Sequence, residues 1–159
     1  MRNVVAKLVL GVGITSIAMF GADNSIGTWK QNIGKSKSTP PSTSNNPITS
    51  LTAVYEAVDG GVKVTFNGQL KDGTAITSSY TAKYDGKEYP VTGTATYDTI
   101  SVKQIDANTF TYEQNKTGGK FHTTGRYIIA RDGRTMTRTF KGINANGKPI
   151  SLTAIYEKQ

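Results

Sequence analysis

Arg138 has the clearest chemical consequence of any residue in this sequence, because the turns on either side of it direct its side chain inward. Folding the chain about Asp132-Gly133 sets Arg138 opposite Tyr127 and Met136 opposite Ile129. Folding it about residues 145–147 sets Arg138 opposite Ala154, Met136 opposite Tyr156 and Phe140 opposite Leu152. Side chains alternate between the two faces of a strand, so a residue paired with Tyr127 and Ala154 shares their apolar face. A guanidinium buried without a partner costs several kcal/mol, so something must satisfy it. A ligand carboxylate would do so through a charge-assisted pair. Tyrosine is the second signal: Tyr55, Tyr80, Tyr84, Tyr89, Tyr112, Tyr127 and Tyr156 all fall on the inward phase. Buried phenols need hydrogen-bond partners, so this interior should hold polar groups or water beside an apolar wall that includes Phe66, Phe140 and Met136. Such an interior suits a small hydrophobic or amphipathic ligand. The competing reading is an aromatic core packed tight, with no cavity.

Other chemistries find no support. Asp59, Asp72, Asp85 and Asp132, four of the seven aspartates, stand in Asp-Gly turns. Glu56, Glu113 and Glu157 fall on the phase opposite the apolar residues of their strands and should face water, so no catalytic carboxylate pair presents itself. The single histidine, His122, lies on the outward phase with no nucleophile elbow nearby, which leaves a hydrolase triad without a basis. Cysteine is absent, which excludes disulfides, thiol nucleophiles and thiolate metal sites. The expectation is a binding protein, not an enzyme, with no cofactor and no metal. Asn115-Lys116-Thr117 matches a glycosylation sequon in a turn, which carries little weight without the source.

The elements that must position these residues are hairpins. Asp59-Gly60, Asp72-Gly73 and Asp85-Gly86 recur every thirteen residues, and each glycine supplies the positive φ of a tight turn. Pairing about Asp59-Gly60 sets Ala57, Tyr55 and Ala53 against Val62, Val64 and Phe66. A three-residue loop at 71–73 sets Phe66 against Ser78 and Val64 against Tyr80, and pairing about Asp85-Gly86 sets Tyr84, Ala82 and Tyr80 against Lys87, Tyr89 and Val91. The three hairpins agree on one buried face. After a polar link at 92–99, further turns at 106–108, Gly118-Gly119, Asp132-Gly133 and Asn146-Gly147 bring the count to about ten strands. Residues 36–47 hold three prolines and no large apolar side chain and read as a flexible loop. Short strands joined in sequence remove their exposed edges most completely by closing, so the expected fold is all-β, a closed antiparallel up-and-down barrel of about 8–10 strands in one domain, residues 23–159.

Residues 1–22 stand apart. Arg2 and Lys7 precede an uncharged, mostly apolar run from Leu8 to Ala22, the layout of a signal peptide. That run is too short for a comfortable membrane span of roughly 18 or more residues. Export to a secreted or periplasmic location is expected, with cleavage between about residues 18 and 23. Loss of Arg2 and Lys7 lowers the net charge from +8 to +6. The remaining lysines are scattered and form no basic block, so neither a nucleic acid nor a membrane span is expected as a partner of the mature chain, which should be a monomer.

Gly27-Thr28-Trp29-Lys30 holds the only tryptophan and opens the first strand. It resembles the G-x-W signature of the calycins, the lipocalins and fatty-acid-binding proteins. The short, proline-rich stretch after it has no room for the helix pair that joins the first two strands of fatty-acid-binding proteins, which points to the lipocalin side or to a simplified bacterial relative. The resemblance implies that Gly27 and Trp29 close one end of the barrel. It implies two roles for Arg138: covering Trp29, as a late-strand arginine does in lipocalins, or holding a ligand carboxylate with Tyr127 and Tyr156, similar in kind to the fatty-acid-binding proteins. In either case the interior is expected to bind a small hydrophobic or amphipathic molecule. The alternative is a filled barrel that binds a protein partner, or inhibits one, through its loops.

Overall fold

A computed structural model describes residues 22–41 and 44–159. The expected signal peptide therefore falls, Ala22 excepted, outside the described residues. The described chain forms ten strands: β1 (Gly27–Thr39), β2 (Ile48–Val58), β3 (Gly61–Leu70), β4 (Ala75–Lys83), β5 (Asp85–Thr92), β6 (Thr99–Gln104), β7 (Thr109–Asn115), β8 (His122–Ile129), β9 (Thr135–Ile143) and β10 (Pro149–Lys158). Each strand pairs antiparallel with the next, and β1 pairs with both β2 and β10, which closes the barrel. Closure gives every strand a neighbour on both sides.

The turns set the register as the side-chain pattern demands. Tyr55 faces Val64, Val64 faces Tyr80, Arg138 faces Tyr127 and Ala154, and Met136 faces Tyr156. At Gly60 and Gly133 the backbone takes φ of 67° and 69°, which a side chain would resist.

Two segments depart from expectation. Residues 36–39 are not loop but the end of β1: after a register shift between Asn32 and Lys37 the strand resumes pairing with β10, Lys37 opposite Thr153 and Thr39 opposite Ser151. Ser36 makes this continuation possible, because its hydroxyl accepts from the Ile155 amide at 3.2 Å and donates to the Asn32 carbonyl at 2.8 Å. Hydroxyl side chains serve strand irregularities of this kind, so their lack of apolar bulk does not make a loop. The second departure is at β4 and β5, which pair only at Ser79–Thr92 and Tyr80–Val91. The expected pairs of Ala82 with Tyr89 and Tyr84 with Lys87 do not form. Tyr89 instead pairs with Ile100 of β6 and donates its hydroxyl to Asp85 at 3.0 Å, half-exposed.

The interior has two unlike halves. At the closed end Trp29, Val62, Ala82, Val102, Phe110, Ile129 and Met136 are buried together. The Tyr127 ring stacks on Phe110 with centroids 4.6 Å apart and meets Tyr55 edge-on at 5.7 Å. Residues 22–26 tie down this end: the Asn24 amide donates to the Ala107 carbonyl at 3.0 Å, Gln104 Nε2 to the Ala22 carbonyl at 3.1 Å, and the Tyr84 hydroxyl to Asp23. The open end is framed by residues 40–41 and 44–47 and by the connections at 71–74, 93–98, 116–121 and 144–148.

Candidate functional site

Trp29, which the resemblance to the calycins assigned to closing the barrel, lies in the half of the interior that residues 22–26 cover. It is fully buried, and its Nε1 donates to the Ser25 carbonyl at 2.7 Å. The cation over its ring, however, is Lys158, with Nζ 5.1 Å from the centroid, and not Arg138. The register explains the correction. Trp29 pairs with Lys158 and Arg138 with Ala154, four residues apart on β10, or about 13 Å along the strand. Gly27, at φ 135°, leaves room for this lysine, since a Cβ there would stand 2.9 Å from Lys158 Cε.

Arg138 lies instead at mid-barrel, 7% exposed. Its Nε donates to the Tyr112 hydroxyl at 3.0 Å, and that hydroxyl donates onward to the Thr139 carbonyl at 3.1 Å. The Tyr112 oxygen therefore has its proton committed to the backbone and presents a lone pair to Arg138, which fixes the guanidinium by its inner edge. Two rings pack near it as well, with Cζ 4.4 Å from the Tyr112 ring centroid and 5.3 Å from that of Phe66. Gly125, opposite Tyr112, makes this packing possible: a Cβ there would sit 2.6 Å from the Tyr112 ring. None of the three ion pairs among the described residues involves Arg138, and its two terminal nitrogens have no hydrogen-bond partner there.

Arg138 lines a cavity of about 240 Å³ in the open half of the barrel. Its wall is Phe66, Phe140, Tyr156, Leu51, Leu152 and Ser78, with Tyr97, Thr96, Phe121, Gln114, Ile48 and Ile76 toward the mouth; Arg138 is the one charged residue that lines it. Burial pushes the Tyr156 phenol up to about 12, and the Tyr55, Tyr80 and Tyr97 phenols are also held above their ordinary value by burial. All four are neutral at physiological pH and can donate. Burial opposes the charge on Arg138, the surrounding phenol oxygens favour it, and the balance lies above its ordinary value, so it remains a cation.

Of the eight residues expected to line a cavity, Arg138, Tyr156, Phe66 and Phe140 do so. Tyr127, Tyr55, Tyr80 and Met136 point inward but pack into the closed half or behind the cavity floor. Tyr127 stands opposite Arg138 in the register but makes no hydrogen bond to it, and among the described residues its buried hydroxyl has no well-formed hydrogen bond. Sequence reasoning missed Tyr97, which stacks on Phe121 at 5.9 Å and 17°. Its signal was a lone aromatic in the otherwise polar link 92–99. A larger depression, about 600 Å³, lies on the outer wall beside Lys103, Glu113, Arg126 and Lys141; these side chains are exposed, as expected of a charged surface.

No family model matches the chain, and no curated protein matches it. A solved structure, "Structure of EF1p2_mFAP2b bound to DFHBI", is similar in fold at 10% identity and a TM-score of 0.45, over 86% of this chain and 94% of that one. At that level the likeness says nothing about what this chain binds.

Proposed function

We propose that this barrel is an exported, calycin-like carrier or receptor for a small amphipathic acid, with the carboxylate on Arg138 and the apolar body in the open half. One observation carries the reading: a guanidinium 7% exposed, held through Nε by the Tyr112 hydroxyl and packed near the Tyr112 and Phe66 rings, without a carboxylate partner among the described residues, on the wall of a mostly apolar cavity. A carboxylate bound there would gain a charge-assisted pair with the guanidinium beside an apolar wall. The Gly27–Trp29 closure supports kinship with the calycins. The rival reading, a filled barrel acting through its loops, draws on the packed closed half and on a cavity just under the roughly 300 Å³ at which ligand pockets ordinarily begin.

Isothermal titration with octanoate and with 1-octanol, on the unaltered protein and on Arg138→Met, separates the two. The acid should bind the unaltered protein at least tenfold tighter than the alcohol, and Arg138→Met should abolish that preference. Methionine fills a similar volume without a charge, so the variant should fold. Equal weakening of acid and alcohol, or no binding of either by the unaltered protein, would refute the proposal.

A further inference from the structure

Resting on the reading above, we infer that the preferred ligand is a compact planar monoacid, one or two fused rings bearing a single carboxylate, and that Tyr97 and Phe121 select for it. Three observations converge. Size is the first: a cavity of about 240 Å³ lies at the small end for a ligand pocket, and suits a short or bicyclic acid better than a long acyl chain. Charge is the second. Among the described residues Arg138 is the only charged group on the lining, so one negative charge is matched and a second would be buried unpaired.

Shape is the third. Tyr97 comes from the β5–β6 connection and Phe121 from the β7–β8 turn, yet their rings lie within 17° of parallel. The two connections are locked together just beside the rings. Asp98 Oδ1 accepts from the Thr117 amide at 2.8 Å and from its hydroxyl at 3.1 Å, and Asp98 Oδ2 pairs with Lys116 at 3.4 Å. The Asp98 amide donates to the Asn115 carbonyl at 3.0 Å, and the Lys116 amide to the Phe121 carbonyl at 3.1 Å. An aromatic pair held this firmly gives the cavity mouth a preorganised aromatic lining. It rewards a rigid ring that stacks without losing internal freedom, whereas a flexible chain gains no stacking and loses its rotamers.

The test is competitive titration with naphthalene-2-carboxylate, naphthalene-2-methanol, octanoate and hexadecanoate, on the unaltered protein and on Tyr97→Leu. Tyr97 sits half-exposed in a connection, so the leucine variant should fold. Naphthalene-2-carboxylate should bind tightest, at least tenfold above hexadecanoate. Tyr97→Leu should weaken it by about three- to tenfold, the worth of one aromatic contact, and leave octanoate unchanged. Affinity that rises from octanoate to hexadecanoate, or a Tyr97→Leu variant that binds the naphthalene acid as well as before, would overturn the planar-ligand inference while leaving an acid-binding barrel in place. Failure of every compound to bind would instead remove the proposed function itself.

Discussion

Replacing Tyr127 with phenylalanine deletes one oxygen from a side chain that is 1% exposed; among the described residues its hydroxyl has no well-formed hydrogen bond, its one neighbour of that kind being the Tyr84 hydroxyl, which already donates to Asp23. A buried polar group left unsatisfied costs about 1–3 kcal/mol. The ring would stay where Phe110 and Tyr55 hold it, at 4.6 and 5.7 Å between centroids, so packing is conserved and only the penalty is removed. Tyr127→Phe should therefore stabilise the barrel by about 1 kcal/mol, a rise in Tm of roughly 2–4 °C for a chain of this size. Tyr112→Phe is the same chemical change with the opposite sign. The Tyr112 hydroxyl accepts from Arg138 Nε and donates to the Thr139 carbonyl, so its loss strips a buried cation of its one acceptor and should destabilise by about 1.5–3 kcal/mol. Urea denaturation of both variants beside the unaltered protein measures the two effects. A Tyr127→Phe variant less stable by more than about 0.5 kcal/mol would mean that the hydroxyl finds a partner in solution, and would refute the division of the interior into a dry half and a ligand half.

Trp29→Ala removes the buried plug beneath Lys158 and the hydrogen bond to Ser25. It should cost on the order of 3–5 kcal/mol in a denaturant titration; a loss below about 1 kcal/mol would contradict its closing role. The tyrosines predict alkaline behaviour. Burial raises Tyr55, Tyr80, Tyr127 and Tyr156, the last to about 12, so stability is full below the unfolded phenol value near 10 and is lost as pH rises through the folded values. Tyrosinate absorbance should climb together with the loss of β circular dichroism; tyrosine ionisation well below the unfolding transition would count against a sealed core. Asp98 predicts the acid side. The Thr117 amide, with its hydroxyl and Lys116, holds the carboxyl below the usual range, so the latch is intact above about pH 3.9 and is released as pH falls through the lowered value. Asp98→Asn should speed hydrogen exchange at the Thr117 amide at neutral pH, and unchanged exchange would show that the latch does not hold the mouth.

The register and the inward face were legible because Asp-Gly turns fix pairing and strand alternation fixes the side. Tyr55, Val64, Tyr80, Arg138 and Tyr156 all lie where those two rules put them. Depth along the barrel was not legible. Alternation says that Met136 and Arg138 share a face, but strand tilt and stagger decide that Met136 packs into the closed end while Arg138 meets the cavity. The same stagger sets Lys158, not Arg138, over Trp29. Tyr97 escaped because a connection has no period to read, and residues 36–39 because strand pairing at a closure is set by β10, a partner more than a hundred residues away in sequence.

The central claim is that the free N–H groups of Arg138 receive a ligand carboxylate, and a crystal structure of the protein with octanoate or naphthalene-2-carboxylate tests it most directly. The account predicts density for the ligand in the open half, with its carboxylate oxygens within hydrogen-bond distance of both Arg138 terminal nitrogens and the Nε bond to Tyr112 retained. A ligand bound head outward at the mouth, or found only on the outer wall beside Lys103 and Lys141, would contradict it.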